Sequence, residues 1–329
     1  MSGSRVVVTG GSGFVGGHLV ERLVSGGDEV TVFDGSPPPE HSPAHGHVGH
    51  VSGDVRDAAA LRRAIPRGVD VVYHLAAVVG VDEYLARPLD VIDINFTGTR
   101  NVLDAAHAAG ARVVVASTSE VFGKNPAVPW REEDDRVLGP TTADRWAYST
   151  SKALTEHLVF AFARRHGLAA SIVRYFNVYG PRQRPGFLIS RSVHRALNGR
   201  PLVVYDEGKQ TRCFTFVADA VDGTILAGTR PEAVGEVFNI GSMTETLVGD
   251  AIHLIAELAG TEPGLVSVDT GEKLGRGYED LARRIPDSGK AHRVLGWSCP
   301  TSLRAGVRET IGWARRNPWW LELPDSGAA

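Results

Sequence analysis

Tyr148 and Lys152 stand four residues apart in Tyr148-Ser149-Thr150-Ser151-Lys152, at the start of a helical run that continues through Glu156, Leu158 and Phe162. On a helix this spacing puts both side chains on one face, where an ammonium beside a phenol favours the phenolate. The pair is a candidate acid/base for moving a proton. Tyrosine and lysine also meet at this spacing in helices that do no chemistry, so the pair gains meaning only from the elements that position it.

Those elements read as βα units. Arg5-Val6-Val7-Val8-Thr9 is a β-branched run with both faces apolar, as a central parallel strand requires. It leads into Gly10-Gly11-Ser12-Gly13-Phe14-Val15-Gly16 and a helix through His18–Val24. Glycines at 10, 13 and 16 suit a tight turn, a close approach by a pyrophosphate and close helix–strand packing, in that order. A second strand, Glu29–Phe33, ends in Asp34, placed to accept hydrogen bonds from an adenosine ribose. Gly35, Ser36 and Pro37 follow, with no cation for a 2′-phosphate, so the pattern favours NAD over NADP.

Further units follow. A strand over 48–53 ends at Asp54-Val55, placed for the adenine edge; a helix 58–65 and a strand 69–74 lead to the small Leu75-Ala76-Ala77. A helix over about 90–109 carries Asn95, and a strand 112–116 runs into Ser117-Thr118-Ser119-Glu120-Val121-Phe122-Gly123. Strands alternating with helices predict a Rossmann-type doubly wound parallel sheet with helices on both faces. After a sixth strand, 170–174, the alternation lapses. Residues 1–180 therefore read as the dinucleotide-binding domain with the catalytic helix, and 181–329 mainly as a smaller α/β lobe, with about 211–242 returning to the core.

Composition excludes several classes. With 329 residues, 43% hydrophobic and 22% charged, the chain suits a large core with an appended lobe. A formal charge of -3 and no long basic block argue against nucleic acid or an anionic membrane as partner. No apolar run reaches membrane-spanning length, and no signal segment precedes the first strand; the expected location is the cytoplasm. Cys213 and Cys299 read as reduced, packed thiols. His41, His45, His47 and His50 fall irregularly in a proline-rich loop, which suits a surface loop better than a metal site, and no metal is expected.

The glycines, Asp34, Asp54-Val55, the Ser-Thr-Ser-Glu-Val-Phe-Gly segment and Tyr148-x-x-x-Lys152 together resemble the extended short-chain dehydrogenase/reductase superfamily. Within it they resemble the NAD-dependent nucleotide-sugar epimerase/dehydratase branch, over essentially the whole chain. The resemblance implies bound NAD, with Tyr148 as base, Lys152 on the nicotinamide ribose, and Ser119 or Thr118 holding the reacting sugar oxygen beside Glu120. Phe14, Val15, Leu75, Ala76, Ala77, Asn95, Ser117 and Tyr175 would line the cofactor. For a UDP-sugar substrate it implies Asn177 at the diphosphate, Leu202, Val203 and Tyr205 at the base, Arg212 at the phosphates, Arg284 at the diphosphate or a sugar acid, and Asp287 at a ribose hydroxyl. A fork of two donors suits arginine to phosphate.

For the reaction, Gly180-Pro181-Arg182-Gln183-Arg184-Pro185 resembles bacterial uronate 4-epimerases, with Arg184 on the carboxylate. Against this, Thr118-Ser119-Glu120, Arg145-Trp146-Ala147-Tyr148 and Gly277-Tyr278-Glu279-Asp280 with Arg284 resemble UDP-glucuronate decarboxylases. The expectation is a 4-epimerase interconverting UDP-glucuronate and UDP-galacturonate through a 4-keto sugar. The alternatives are the decarboxylase, a UDP-glucose 4-epimerase and, outside catalysis, an NAD-sensing protein. By family analogy a homodimer is expected, through helices near 90–109 and 148–166.

Overall fold

The computed structural model describes residues 3–80, 86–262, 264–269 and 281–325. The Gly277–Asp280 segment singled out above lies outside them. Strands β1 (Arg5–Thr9), β2 (Glu29–Asp34), β3 (Gly49–Ser52), β4 (Val71–His74), β5 (Arg112–Thr118) and β6 (Ala170–Tyr175) come first in the chain. They are followed by β7 (Val178–Tyr179), β8 (Leu202–Tyr205), β9 (Thr211–Cys213), β10 (Thr215–Phe216), β11 (Val237–Ile240), β12 (Glu245–Leu247) and β13 (Leu265–Val268). Seven of them make one sheet in the order β11-β6-β5-β4-β1-β2-β3, and every pairing in it is parallel.

The apolar strands explain the layering. Val6 and Val8 belong to one buried cluster and Val7 to another on the opposite face, because successive side chains of a strand point to opposite sides. One face is covered by α1 (Phe14–Ser25), the other by α2 (Ala58–Ala64), α4 (Thr99–Ala109) and α5 (Arg145–His166), after the short α3 (Pro88–Asp93). This is the expected doubly wound α/β arrangement. Strand order reverses between β1 and β4, and a crevice outside the carboxyl ends of strands at such a point is where this fold binds ligands.

The helix expected over 90–109 is interrupted. α3 and α4 are joined by a wider π turn, Ile94–Gly98, within which the Asn95 carbonyl accepts from the Thr99 hydroxyl at 2.6 Å. The helix that carries Tyr148 and Lys152 begins at Arg145, three residues before Tyr148.

Beyond β6, α6 (Leu188–Leu197), α8 (Val248–Ala259) and α9 (Leu303–Arg316) pack on one another beside the short pairs β8–β13 and β9–β12. Between them the chain returns to the sheet: α7 (Val217–Thr229) packs on α1, β5 and β6, and β11 adds the edge strand next to β6. Trp320, fully buried, donates from Nε1 to the Gln183 carbonyl at 3.0 Å, tying the end of the chain to the segment that carries Arg182 and Arg184. No helix of the described residues is long and apolar enough to cross a membrane.

Candidate active site

A cleft of about 1040 Å³ runs along the carboxyl ends of the strands from Gly10 and Asp34 past Tyr148 to Tyr205 and Arg284. Its first third is a backbone cradle. Gly10 has a φ of +73° and its N–H donates to the Phe33 carbonyl at 3.0 Å. A Cβ on Gly16 would fall 2.0 Å from the Gly10 oxygen, so α1 can start close under the turn only because that carbon is missing. Asp34 ends β2 with both carboxylate oxygens engaged, accepting from the Ser12 and Ser36 amides at 3.1 Å each. Asp54 is fixed by Arg56, whose hydrogen bonds hold its carboxyl below the usual range. Phe14, Val15, Val55, Leu75, Ala76 and Ala77 complete this wall. Glycines that close approach requires, a carboxylate fixed at the end of β2 and two small alanines fit a dinucleotide.

At the middle of the cleft the end of β5 is stitched to the start of α5. The Thr118 hydroxyl accepts from the Glu120 amide at 3.2 Å and hydrogen-bonds the Tyr148 phenol. Ser149 donates to the Glu120 carbonyl at 2.5 Å, and Lys152 Nζ to the Ala116 carbonyl at 2.9 Å. Burial and the nearby Glu120 carboxylate push the Tyr148 phenol up, against the pull of Thr118, while burial brings Lys152 down to about 8. The groups that shift the Tyr148 phenol are thus Glu120 and Thr118 rather than Lys152. Ser117, Tyr175 and Ser119 face the same space. Asn95 lies outside the cleft: buried, it donates to Ser151 Oγ at 3.0 Å and so supports the turn that carries Lys152.

Glu120 is held between two guanidiniums. Arg145 Nη2 is 2.7 Å from Oε2 and Arg284 Nη1 2.5 Å from Oε1. Burial would raise this carboxyl, but the two arginines outweigh it and hold it at about 2. The three residues come from β5's end, α5's first turn and the far C-terminal third, which is why no local pattern joins them. Arg145 entered the sequence reading only as part of a resemblance.

Of the other substrate-end residues, Asn177, Arg184, Tyr205 and Arg212 line the cleft. Arg184 lies over the Phe187 ring, 5.0 Å from its centroid, and Arg212 donates to the carbonyls of Thr211 and Leu281 at 2.8 Å each. Leu202 and Val203 do not line it: Leu202 is core, and both pair with β13. Asp287 does not line it either; its Oδ2 pairs with Arg131 at 3.5 Å. Lining residues that the sequence reading did not single out are Arg191, Gln210 and Phe187, which sit in stretches with no recognisable spacing. Arg182 also lines the cleft, and it is paired with Glu21 of α1.

Residues 6–241 match the NAD dependent epimerase/dehydratase family. The chain belongs to that family. A solved structure, MoeE5 in complex with UDP-glucuronic acid and NAD, is 32% identical and superposes with a TM-score of 0.84, covering 95% of this chain and 99% of that one. By sequence, the chain is 38% identical to the UDP-N-acetyl-alpha-D-glucosaminuronate decarboxylase of Bacillus cytotoxicus, over 94% of this chain and 98% of that protein. It is 33% identical to UDP-glucuronic acid decarboxylase 1 of Xenopus tropicalis, over 95% of this chain and 72% of that protein. The family is NAD-dependent, in agreement with the cofactor expected from Asp34 and the glycines.

Proposed function

We propose that this member of the family decarboxylates a UDP-hexuronate. The observation that carries the reading is the carboxylate of Glu120, kept ionised by Arg145 and Arg284 within the wall that holds Tyr148 and Thr118. A fixed negative charge where a sugar's C6 carboxylate must lie raises the energy of that second carboxylate, since like charges resist sharing a site, and favours its departure as neutral carbon dioxide. Arg284, free to exchange Glu120 for the substrate, draws the acid in. The 4-epimerase expectation yields to this reading, because the two sequence relatives named above are decarboxylases and it is Arg284 and Arg145, not Arg184, that pair with Glu120.

The residues divide the work. The amides of Gly13–Gly16 face the cofactor's phosphates, Asp34 its adenosine ribose, Asp54-Val55 its adenine and Lys152 its second ribose. When bound, NAD takes up a hydride from sugar C4. Tyr148 Oη accepts the C4 hydroxyl proton while Thr118 holds that oxygen. The resulting 4-ketone is β to the C6 carboxylate, so breaking C5–C6 leaves its electron pair as an enolate on O4, beside Tyr148 and Thr118; C5 then takes a proton from solvent, and return of the hydride to C4 with the Tyr148 proton to O4 gives the pentose and restores the oxidised cofactor. Asn177 and Arg212 bind the diphosphate and Tyr205 packs against the base. The protein assembles as a homodimer through α4 and α5; sedimentation as a monomer at micromolar concentration would refute that.

The test is incubation with UDP-glucuronate and, separately, its 2-acetamido counterpart, with catalytic NAD. A nucleotide pentose and released carbon dioxide are expected from one of them. An isomer of unchanged mass restores the epimerase, and NADH accumulating together with an oxidised nucleotide sugar and no released carbon dioxide indicates a simple dehydrogenase.

A further inference from the structure

Arg191 is buried, 6% exposed, in the second turn of α6, and its guanidinium faces the cleft. Its polar partner is a phenol: Nη1 lies 3.4 Å from Tyr205 Oη, with the guanidinium carbon 5.1 Å from the Tyr205 ring centroid. Among the described residues no carboxylate stands within ion-pair distance of it. The other arginines of the cleft are engaged differently: Arg145 and Arg284 hold Glu120, Arg182 holds Glu21, Arg184 lies over the Phe187 ring and donates to the Val79 carbonyl, and Arg212 is turned onto two backbone carbonyls. A buried charge is normally paired, because removing it from water without a counter-charge is expensive. A neutral ring compensates a cation only partly.

We infer that Arg191 is a diphosphate-binding residue of this chain, the phosphates of the nucleotide supplying the counter-charge that none of the described carboxylates provides. The inference rests on the nucleotide-sugar reading and deepens it. A guanidinium presents two parallel donors, which match two oxygens of one phosphate or one oxygen from each of two. Tyr205 keeps the fork in place by covering one of its faces and bonding one nitrogen. A base packed against Tyr205 and a diphosphate on Arg191 would then be set side by side by one cation–aromatic pair. Arg212, with its carbonyl partners, serves as the second and more rigid cation.

The experiment measures binding of UDP, UMP and uridine to the NAD-loaded protein by calorimetry, for wild type, Arg191→Met and Arg191→Gln. Both variants should weaken UDP at least tenfold, weaken UMP less, and leave uridine within twofold. The unliganded variants should melt no lower than wild type, since a buried charge that no described carboxylate pairs has been removed. UDP binding unchanged within twofold, or uridine weakened as much as UDP, would overturn the assignment. The glutamine variant, close in shape and neutral, keeps the test open if methionine impairs folding. Wild-type UDP binding is independent of what becomes of the sugar, so a protein that binds UDP through Arg191 yet releases no carbon dioxide refutes the decarboxylase reading alone.

Discussion

Lys152 Nζ donates to the carbonyl oxygen of Ala116, 2.9 Å away, and is fully enclosed where it does so. An ammonium on a neutral acceptor inside the protein has lost its water for little return, and burial brings its pKa down to about 8 although Glu156, one turn on, acts to raise it. An unfolded lysine titrates near 10.4. Between those values the unfolded chain binds more protons, so wild-type stability rises with pH across that window, and below pH 8 the folded state carries the full penalty. Two and a half pH units correspond to about 3 kcal/mol. Lys152→Met should therefore be more stable than wild type at pH 7, by at most that amount because the Ala116 carbonyl loses its donor. The advantage should vanish above pH 10, while turnover falls by about 10²-fold or more. Urea unfolding at pH 7 and pH 10 checks this; a variant less stable at pH 7 contradicts it.

Gly16→Ala tests the cradle. The new carbon would lie 2.0 Å from the Gly10 carbonyl oxygen, a backbone atom that cannot rotate away, so the turn and α1 must part. A loss of about 1–3 kcal/mol is expected, as for overpacking, with a larger proportional loss of NAD affinity than of nucleotide-sugar affinity. Thermal unfolding and separate titrations with NAD and UDP measure both. NAD binding at wild-type strength would mean that the phosphates do not approach this turn.

The cradle is also what the sequence made most legible. Glycines at fixed intervals after an apolar strand, an acid at the end of the next strand and alternating elements are local patterns with one geometric solution, and they lead to the observed sheet and NAD side. The break at Asn95 was not legible, because a π turn keeps helical composition and changes only the winding. Arg145, Glu120 and Arg284 meet across about half the chain, with 164 positions between Glu120 and Arg284, and no spacing encodes such a meeting. Leu202 and Val203 show the opposite case: a strand matching a ligand-binding pattern pairs its backbone with β13 and sends Leu202 into the core instead. Arg191 was hidden for a simpler reason, since an arginine on an amphipathic helix reads as solvated surface until packing closes over it.

Thr118→Val isolates the contact that lowers Tyr148. The phenol is pushed up by burial first and by Glu120 next, and Thr118 is the opposing influence. Replacing the hydroxyl by a methyl group should move the phenol further up, shift the rising limb of the kcat profile to higher pH and lower kcat at neutral pH by about 10²-fold. Thr118→Ser, which keeps the hydroxyl, should recover most of it. A valine variant with an unshifted profile would assign the proton transfer to a different contact.

Arg145→Met addresses what keeps Glu120 charged once Arg284 turns to substrate. Both arginines hold the carboxyl at about 2, against burial. A carboxyl depressed in the folded state contributes stability that is present above its unfolded value, near 4.5, and is lost as pH falls through the folded value. Removing Arg145 leaves one guanidinium against the same burial, so the Glu120 pKa must rise. The acid limb of both stability and carbon dioxide release should then begin at higher pH, and the protein should lose about 3–5 kcal/mol at pH 7, as when one partner of a buried pair is removed. Arg145→Lys keeps the charge without the fork and should fall between the two. Circular dichroism from pH 7 to pH 2, set beside carbon dioxide release over the same range, follows both limbs. If they coincide with wild type, Arg284 alone suffices for Glu120, and a substrate carboxylate cannot take Arg284 without neutralising the group expected to expel it.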